Sequence, residues 1–193
     1  MARPRAFDID EAIEKAMNLF WRMGYNATNL PELLDAMEIS RGSFYKAFGS
    51  KKDVFLRALA LYERTYVEPG IAVLENADMP GEQAIAAVFE AAKQGQSDGV
   101  QASLGANLGA GQEAKRTYGC LLCSAAAETA YHDADIADAI NAQLARLIRA
   151  FGAALARQTQ DDAEPTTHGP RAAERLAQSY VGFRILQRSG LSA

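Results

Sequence analysis

The sequence predicts an all-α protein with a small N-terminal three-helix domain followed by a larger helical domain. Alanine makes up 38 of the 193 residues and proline only six, which is typical of a chain that is helical nearly throughout. Apolar residues recur at helical spacing in most segments. The longest unbroken apolar stretch, residues 84–89, is far shorter than the roughly 20 residues of a membrane-spanning helix. These observations exclude a mainly β-sheet protein and a transmembrane anchor.

Composition is that of an ordinary globular protein, with 49% hydrophobic and 23% charged residues. The basic N-terminus lacks the apolar stretch of a secretory signal, and two cysteines cannot form a disulfide framework, so we expect a cytoplasmic protein. The net charge of -4 conceals a local basic patch. Residues 40–57 hold five Lys/Arg and one Asp, a net of +4. This patch indicates a local anionic partner rather than a wholly basic protein.

Three helices are predicted within residues 1–50. Apolar positions from Ile9 to Trp21 form the first, which ends at Gly24. In the second, residues 28–32 supply a cap, an early proline and a reach-back glutamate. The third is barely two turns long; it is capped by Ser40, ends at Gly49 and has Phe44 and Phe48 on one face.

The second predicted domain spans residues 51–193, with residues 51–67 as a connecting helix. The fourth helix is capped by Ser50 and is expected to end near Pro69-Gly70. A fifth helix is predicted over Glu82–Lys93. Residues 94–112, with five of the fifteen glycines, indicate a long loop or broken helix, either a tolerated insertion or a ligand gate.

The C-terminal part of the chain contains the longest amphipathic pattern. A small apolar helix is predicted over Lys115–Ala130, an amphipathic helix over Ile136–Leu155, a polar loop over 158–169 and a last helix from Pro170. The last two helices have more apolar positions than a small domain can bury alone. They therefore predict a homodimer through residues 135–157 and 170–188, paired as a four-helix bundle.

The second and third helices, joined by a short turn, have the dimensions of a helix-turn-helix. We expect Arg41, Ser43 and Lys46 to approach base edges and Thr28, Tyr45, Lys51 and Lys52 to hold phosphates. The predicted DNA-binding residues are Thr28, Ser40, Arg41, Gly42, Ser43, Tyr45, Lys46, Lys51 and Lys52. Arg3 and Arg5 form either a solvated end or an arm that enters the minor groove.

About 50 residues carry a family resemblance. The segments Gly24-Tyr25, Leu30-Pro31-Glu32-Leu33, Ile39 to Tyr45 and Phe48 to Phe55 resemble the DNA-binding motif of the TetR family of bacterial transcriptional regulators. The resemblance implies an operator-binding domain and a second domain that differs between members to fit different ligands. Further on, Gly119-Cys120-Leu121-Leu122 followed by Glu128, His132 and Asp133 is similar to one subset of the family, which often has valine in place of Cys123.

An apolar pocket is predicted in the helical core of residues 82–157. Its expected lining is Phe89, Leu104, Leu108, Tyr118, Leu122 and Phe151. Such a lining suits a small, mostly hydrophobic organic ligand. We expect the ligand to release the operator by tilting the fourth helix, most simply in a repressor.

Cys120 and Cys123 leave three interpretations open. They are small buried hydrophobes, or a sensor of oxidants or electrophiles whose only nearby cation is Arg116, or metal ligands. A metal site needs two more donors, which are missing nearby, so no metal or cofactor is expected. Catalytic arrangements are also missing, and the chain is predicted not to be an enzyme. A structural adaptor is the remaining alternative, although it would have no use for a basic helix-turn-helix.

Overall fold

A computed structural model describes residues 7–93, 118–129, 132–158 and 170–189. Within these ranges the chain forms helices and turns without a strand, which confirms the all-α fold class. Across the same ranges, every helix falls short of the length and apolarity needed to cross a membrane.

The N-terminal helices are α1 (Ile9–Met23), α2 (Leu30–Met37) and α3 (Arg41–Phe48). Asn29 caps α2 in a reciprocal arrangement with Glu32, in which each side chain accepts a hydrogen bond from the other residue's backbone N–H. Helix α2 ends at Glu38, whose φ of 56° turns the backbone sharply toward α3. The Ser40 side chain then caps α3. Local caps therefore fix the turn between the two helices.

Helix α4 (Lys51–Tyr62) passes through a π-helical turn (Glu63–Val67) into α5 (Glu68–Glu75). The expected end near Pro69-Gly70 is wrong, because Pro69 lies in the first turn of α5. A proline is tolerated there, since the N–H that it lacks would otherwise need a partner beyond the helix. The wider π-helical turn marks the junction instead.

The remaining helices are α6 (Gly81–Lys93), α7 (Leu121–Thr129), α8 (Ala134–Gln158) and α9 (Pro170–Arg188). Helix α7 begins later than predicted, because Gly119 has a φ of +68° and residues 118–120 are not helical. The predicted polar loop over 158–169 is wrong at Gln158, which is the last residue of α8. Residues 159–169 and the predicted loop over 94–112 lie outside the described residues.

The core consists of two clusters that meet along α8. The first joins α1–α4 to α7 and the start of α8, whereas the second joins α5, α6, α9 and the rest of α8. Ile136, Ile140, Leu147 and Phe151 on the apolar face of α8 are all buried within the chain. The expectation that this face needs a second copy to cover it is therefore wrong.

Candidate nucleic-acid interface and interior cavity

Helix α3 has one buried face and one exposed face. The rings of Phe44 and Phe48 are buried, with their centroids 5.8 Å apart, and hold the helix on the core. Arg41, the first residue of the helix, and Tyr45 and Lys46 further along it are exposed. Exposed cations beside hydrogen-bonding side chains are what a helix in the major groove requires.

Small residues complete the first turn of α3. Gly42 is exposed and meets nothing within 4 Å of its potential Cβ position. The hydroxyls of Ser40 and Ser43 lie 2.9 Å apart, and the Ser40 hydroxyl also accepts from the Ser43 backbone N–H. Thus Ser40 has a capping role, while Gly42 leaves room for a close approach.

Lys51 lies at the start of α4, where its charge is partly shielded. Its Nζ atom is 4.3 Å from the centroid of the Tyr25 ring, an arrangement that attracts the cation to the aromatic face. Burial lowers the pKa of Lys51, although Glu128 and Glu32 act against this. The side chain remains near the N-terminus of α4, where an anion is favoured.

The environment of Lys52 differs from the one expected for a side chain that contacts a phosphate. Its Nζ lies 2.6 Å from the Asp135 carboxylate and 3.3 Å from that of Asp133. The hydrogen bonds that Lys52 donates to these two carboxylates, first to Asp135, raise the pKa of Lys52. In this structure Lys52 therefore links α4 to the start of α8, and its contact with a phosphate stays a prediction.

Thr28 is also placed away from any phosphate. It is completely buried, and its hydroxyl donates a 2.7 Å hydrogen bond to the Gly24 carbonyl. Because a buried hydroxyl must find an internal partner, its role here is to close the turn between α1 and α2. The expected phosphate contact is corrected accordingly. Arg3 and Arg5 lie outside the described residues.

A cavity of about 680 Å³ lies between the N-terminal domain and the helices behind it. It extends beyond the predicted core of residues 82–157, because α1, α4, the π-helical turn and α9 all contribute to its wall. Its lining includes Trp21, Tyr62, Tyr66, Val88, Cys120, Leu122, Cys123, Leu147, Tyr180 and Arg184. The cavity thus touches both the DNA-facing domain and the larger domain.

Of the predicted lining residues, the cavity includes Leu122. Phe89 and Phe151 pack instead against Tyr180, with ring centroids 5.5 and 6.0 Å away, in the second core cluster. Tyr118 packs against the first cluster. Leu104 and Leu108 lie outside the described residues. Phe89 and Phe151 therefore pack against Tyr180, a residue of the cavity wall, and are not part of the wall themselves.

Two side chains of the cavity wall, Trp21 and Arg184, meet at the carbonyl oxygen of Gly119. This oxygen accepts from Trp21 Nε1 at 3.2 Å and from Arg184 Nη2 at 2.9 Å. It therefore joins α1 to α9. The expectation that Arg116 is the only nearby cation is wrong, because Arg184 approaches the thiols from α9. The hydrogen bond from Arg184 to Gly119 spans 65 positions and leaves no local sequence signal.

Cys120 is the residue immediately before α7, and its carbonyl accepts from the Ser124 backbone N–H. Both cysteines are free and buried. A hydrogen bond from the Cys123 thiol is the largest influence on Cys120; burial opposes it, while Arg184, Tyr62 and the Cys123 amide reinforce it, which lowers the pKa to about 6. Hydrogen bonding to Cys120, then burial, raises the pKa of Cys123. Cys120 is consequently the more acidic thiol.

Metal binding by these cysteines receives no support from the geometry. In the ranges that the structure covers, no cluster brings together three or more histidine, cysteine or acidic side chains suited to a metal ion. A tetrahedral site needs four ligands, so two thiols alone are insufficient.

Comparison with known proteins agrees with this geometry. The family model for bacterial regulatory proteins of the tetR family matches residues 12–58, which include all of α2 and α3. The chain is 30% identical over 154 residues to the uncharacterized HTH-type transcriptional regulator YezE of Bacillus subtilis (strain 168), covering 78% of this chain and 70% of YezE. It is 36% identical over 89 residues to the HTH-type transcriptional repressor ComR of Escherichia coli (strain K12), covering 46% of this chain and 42% of ComR.

A solved structure extends the similarity to the second domain. It contains a cysteine mutant of the TetR family transcriptional regulator CifR, complexed with 26-base-pair double-strand operator DNA. The two chains share 30% identity with a TM-score of 0.76, over 98% of this chain and 91% of CifR. Together with the exposed basic face of α3, these similarities establish that the chain belongs to the TetR family of transcriptional regulators.

Proposed function

We propose that this regulator is a repressor that binds palindromic operator DNA as a homodimer and is released by a small ligand. The observation that carries the proposal is the cavity, since its wall includes Trp21 of α1 and Tyr62 of α4 as well as residues of α6–α9. A ligand in the cavity would therefore be in direct contact with α1 and α4, the helices beside α3 in the N-terminal part of the chain. Repression is favoured over activation because ComR, a relative, is a repressor.

The exposed face of α3 supports a division of roles on DNA. Arg41, Ser43 and Lys46 would read base edges, because Arg41 and Lys46 are exposed, Ser43 is half-buried, and all three carry hydrogen-bonding groups. Tyr45, which is 52% exposed, and Lys51 at the start of α4 would hold phosphates. Two such helices about 34 Å apart in a dimer would meet successive major grooves.

For the dimer, the supporting surface lies on the outer side of α8 and α9. Ile185 and Leu186 are 50% and 49% exposed, although large apolar side chains favour burial. Leu147, by contrast, is buried and lines the cavity. Shortening Leu147 is therefore expected to affect stability and ligand fit rather than dimerisation.

Release would follow from the contacts at the boundary between the domains. Trp21 donates to the Gly119 carbonyl, Asn26 donates to Glu128, and Lys52 pairs with Asp133 and Asp135. A ligand that favours a different packing at the cavity wall changes these contacts, tilts α4 and alters the spacing of the two α3 helices.

The DNA-binding roles can be tested by changing single residues of the surface. Lys51→Ala is expected to weaken binding to all duplexes and to lower the salt dependence by about one phosphate contact per subunit. Ser43→Ala is expected to change which sequences are preferred. Arg64→Ala removes the same charge from an exposed site in the π-helical turn and is the control. Equal effects of Lys51→Ala and Arg64→Ala on fluorescence anisotropy titrations would contradict the assignment.

A thiol sensor on the same scaffold is the second candidate, and a specific observation favours it. Cys120 combines a lowered pKa, Arg184 nearby and a position in the cavity wall, which together favour a reactive thiolate. In that case, replacing Cys120 and Cys123 by Ser would abolish operator release by oxidants or electrophiles. We expect the double variant to bind operator and still respond to its ligand. Loss of the response with intact DNA affinity would establish the thiol sensor instead.

A further inference from the structure

Arg184 is the cation among the described residues of the cavity wall, and an entirely hydrophobic ligand would leave it unused. We propose that the ligand is a small organic carboxylate whose anionic group pairs with Arg184 while its apolar body fills the rest of the cavity. This inference rests on the proposed function of the cavity and specifies the class of ligand it takes.

Arg184 is the side chain that indicates an anionic ligand. Its Nη2 donates to the Gly119 carbonyl, but its Nε is buried without a hydrogen-bond partner among the described residues. In the same part of the chain, no carboxylate forms an ion pair with it. The guanidinium is partly buried, and its planar donors match the geometry of a carboxylate closely.

The groups around Arg184 are hydroxyls and thiols rather than carboxylates. Tyr62, Tyr180, Cys120 and Cys123 are the titratable groups that act on its charge. The start of α7, a helix of nine residues, lies beside them, and the N-terminal end of a helix carries partial positive charge. After the hydrogen bond from Cys123 and the opposing effect of burial, Arg184 is the next influence on the pKa of Cys120, and it lowers that pKa.

The other residues of the cavity wall determine which apolar part of a ligand fits and how the ligand is oriented. Val73, Val88, Leu144, Leu147 and Val181 are apolar members of the wall. Glu14 is the carboxylate among the described lining residues, and after burial it is the second cause of the raised pKa of Tyr66. The carboxylate of a ligand would therefore avoid the Tyr66 side and bind at Arg184. A volume of about 680 Å³ is ordinary for a drug-sized molecule.

Pairs of probes with one body and different charge test this assignment. Octanoate and octanamide, and 4-phenylbutanoate and 4-phenylbutanamide, would be titrated against the full chain at pH 7 by calorimetry. We expect each carboxylate to bind at least about tenfold more tightly than its amide, because a charge-assisted pair replaces a neutral hydrogen bond. Arg184→Gln should abolish the preference, whereas Arg184→Lys should retain part of it. Arg146→Gln, which removes a cation paired with Glu68, is the control and should leave the preference unchanged.

A second measurement remains decisive if Arg184→Gln fails to fold. In the wild-type chain, a bound carboxylate competes with the Cys120 thiolate for Arg184, so octanoate should slow iodoacetamide alkylation of Cys120 and octanamide should not. Tighter or equal binding of the amides, binding of neither member of each pair, or an unchanged preference in Arg184→Gln would overturn the inference. Operator binding is measured separately. Arg184-dependent carboxylate binding without operator release would contradict the proposed function and leave the carboxylate site standing.

Discussion

At the scale of single residues, Gly119 is where the cavity, the thiols and α1 meet. Its carbonyl accepts hydrogen bonds from Trp21 and Arg184, and Cys120 follows it in the chain. The position needs glycine for two reasons. Its φ is +68°, and a Cβ atom there would lie 2.7 Å from the Arg184 carbonyl oxygen. Neither reason is visible in the sequence, since the backbone of α9 approaches from a distant part of the chain.

Gly119→Ala is therefore expected to lower the free energy of unfolding by about 1–3 kcal/mol, through backbone strain and the contact with α9. Gly182→Ala is the matched control, because Gly182 lies inside α9 and has nothing within 4 Å of its potential Cβ position. It should be neutral or raise the free energy of unfolding by about 0.5–1 kcal/mol. Urea denaturation of the two variants compares them, and equal stabilities would refute the role given to Gly119.

At the scale of helices, the sequence predicts elements well where their signals are local. The first three helices and α6 were predictable because caps, glycines and apolar spacing lie within a few residues of one another. Helix α5 was missed because Pro69-Gly70 resembles a helix end, whereas the π-helical turn before it has no comparable signal. The site was less predictable for the same reason. Arg184 beside Cys120 and Lys52 beside Asp135 are contacts between distant segments.

The Lys52 contact leads to a prediction at this scale. If Asp135 holds Lys52 away from DNA, Asp135→Asn should free the ammonium group for a phosphate. We expect the dependence of DNA affinity on salt concentration to become steeper by up to about one contact per subunit. Asp138→Asn makes the same charge change at an exposed position of α8 and should have less effect. Anisotropy titrations at several salt concentrations measure the slopes, and identical slopes would show that Lys52 is not restrained.

At the scale of the whole molecule, the fold changes our expectation of which surface joins two chains in a dimer. The apolar face of α8 is used within the chain, which leaves the exposed part of α9 as the candidate contact. We expect the wild-type chain to scatter light as a dimer, with about twice the 20.8 kDa of one chain. Ile185→Lys with Leu186→Lys should shift it to the monomer, because two charges would be buried without partners.

Met23→Lys is the control for assembly, since Met23 is 38% exposed on α1 in the N-terminal domain. It should leave the mass unchanged. A wild-type mass near 20.8 kDa at micromolar concentration would refute the dimer. A double variant that remains dimeric would place the contact elsewhere.

The central claim is that α3 reads a two-fold symmetric DNA sequence, and selection from a pool of random duplexes tests it most directly. The wild-type chain should enrich a palindrome whose half-sites are centred about 34 Å apart, one turn of the double helix. A variant with Ala at Arg41, Ser43 and Lys46 should retain salt-sensitive binding but lose this enrichment. Enrichment of no sequence by the wild-type chain, or of the same palindrome by the variant, would contradict the account.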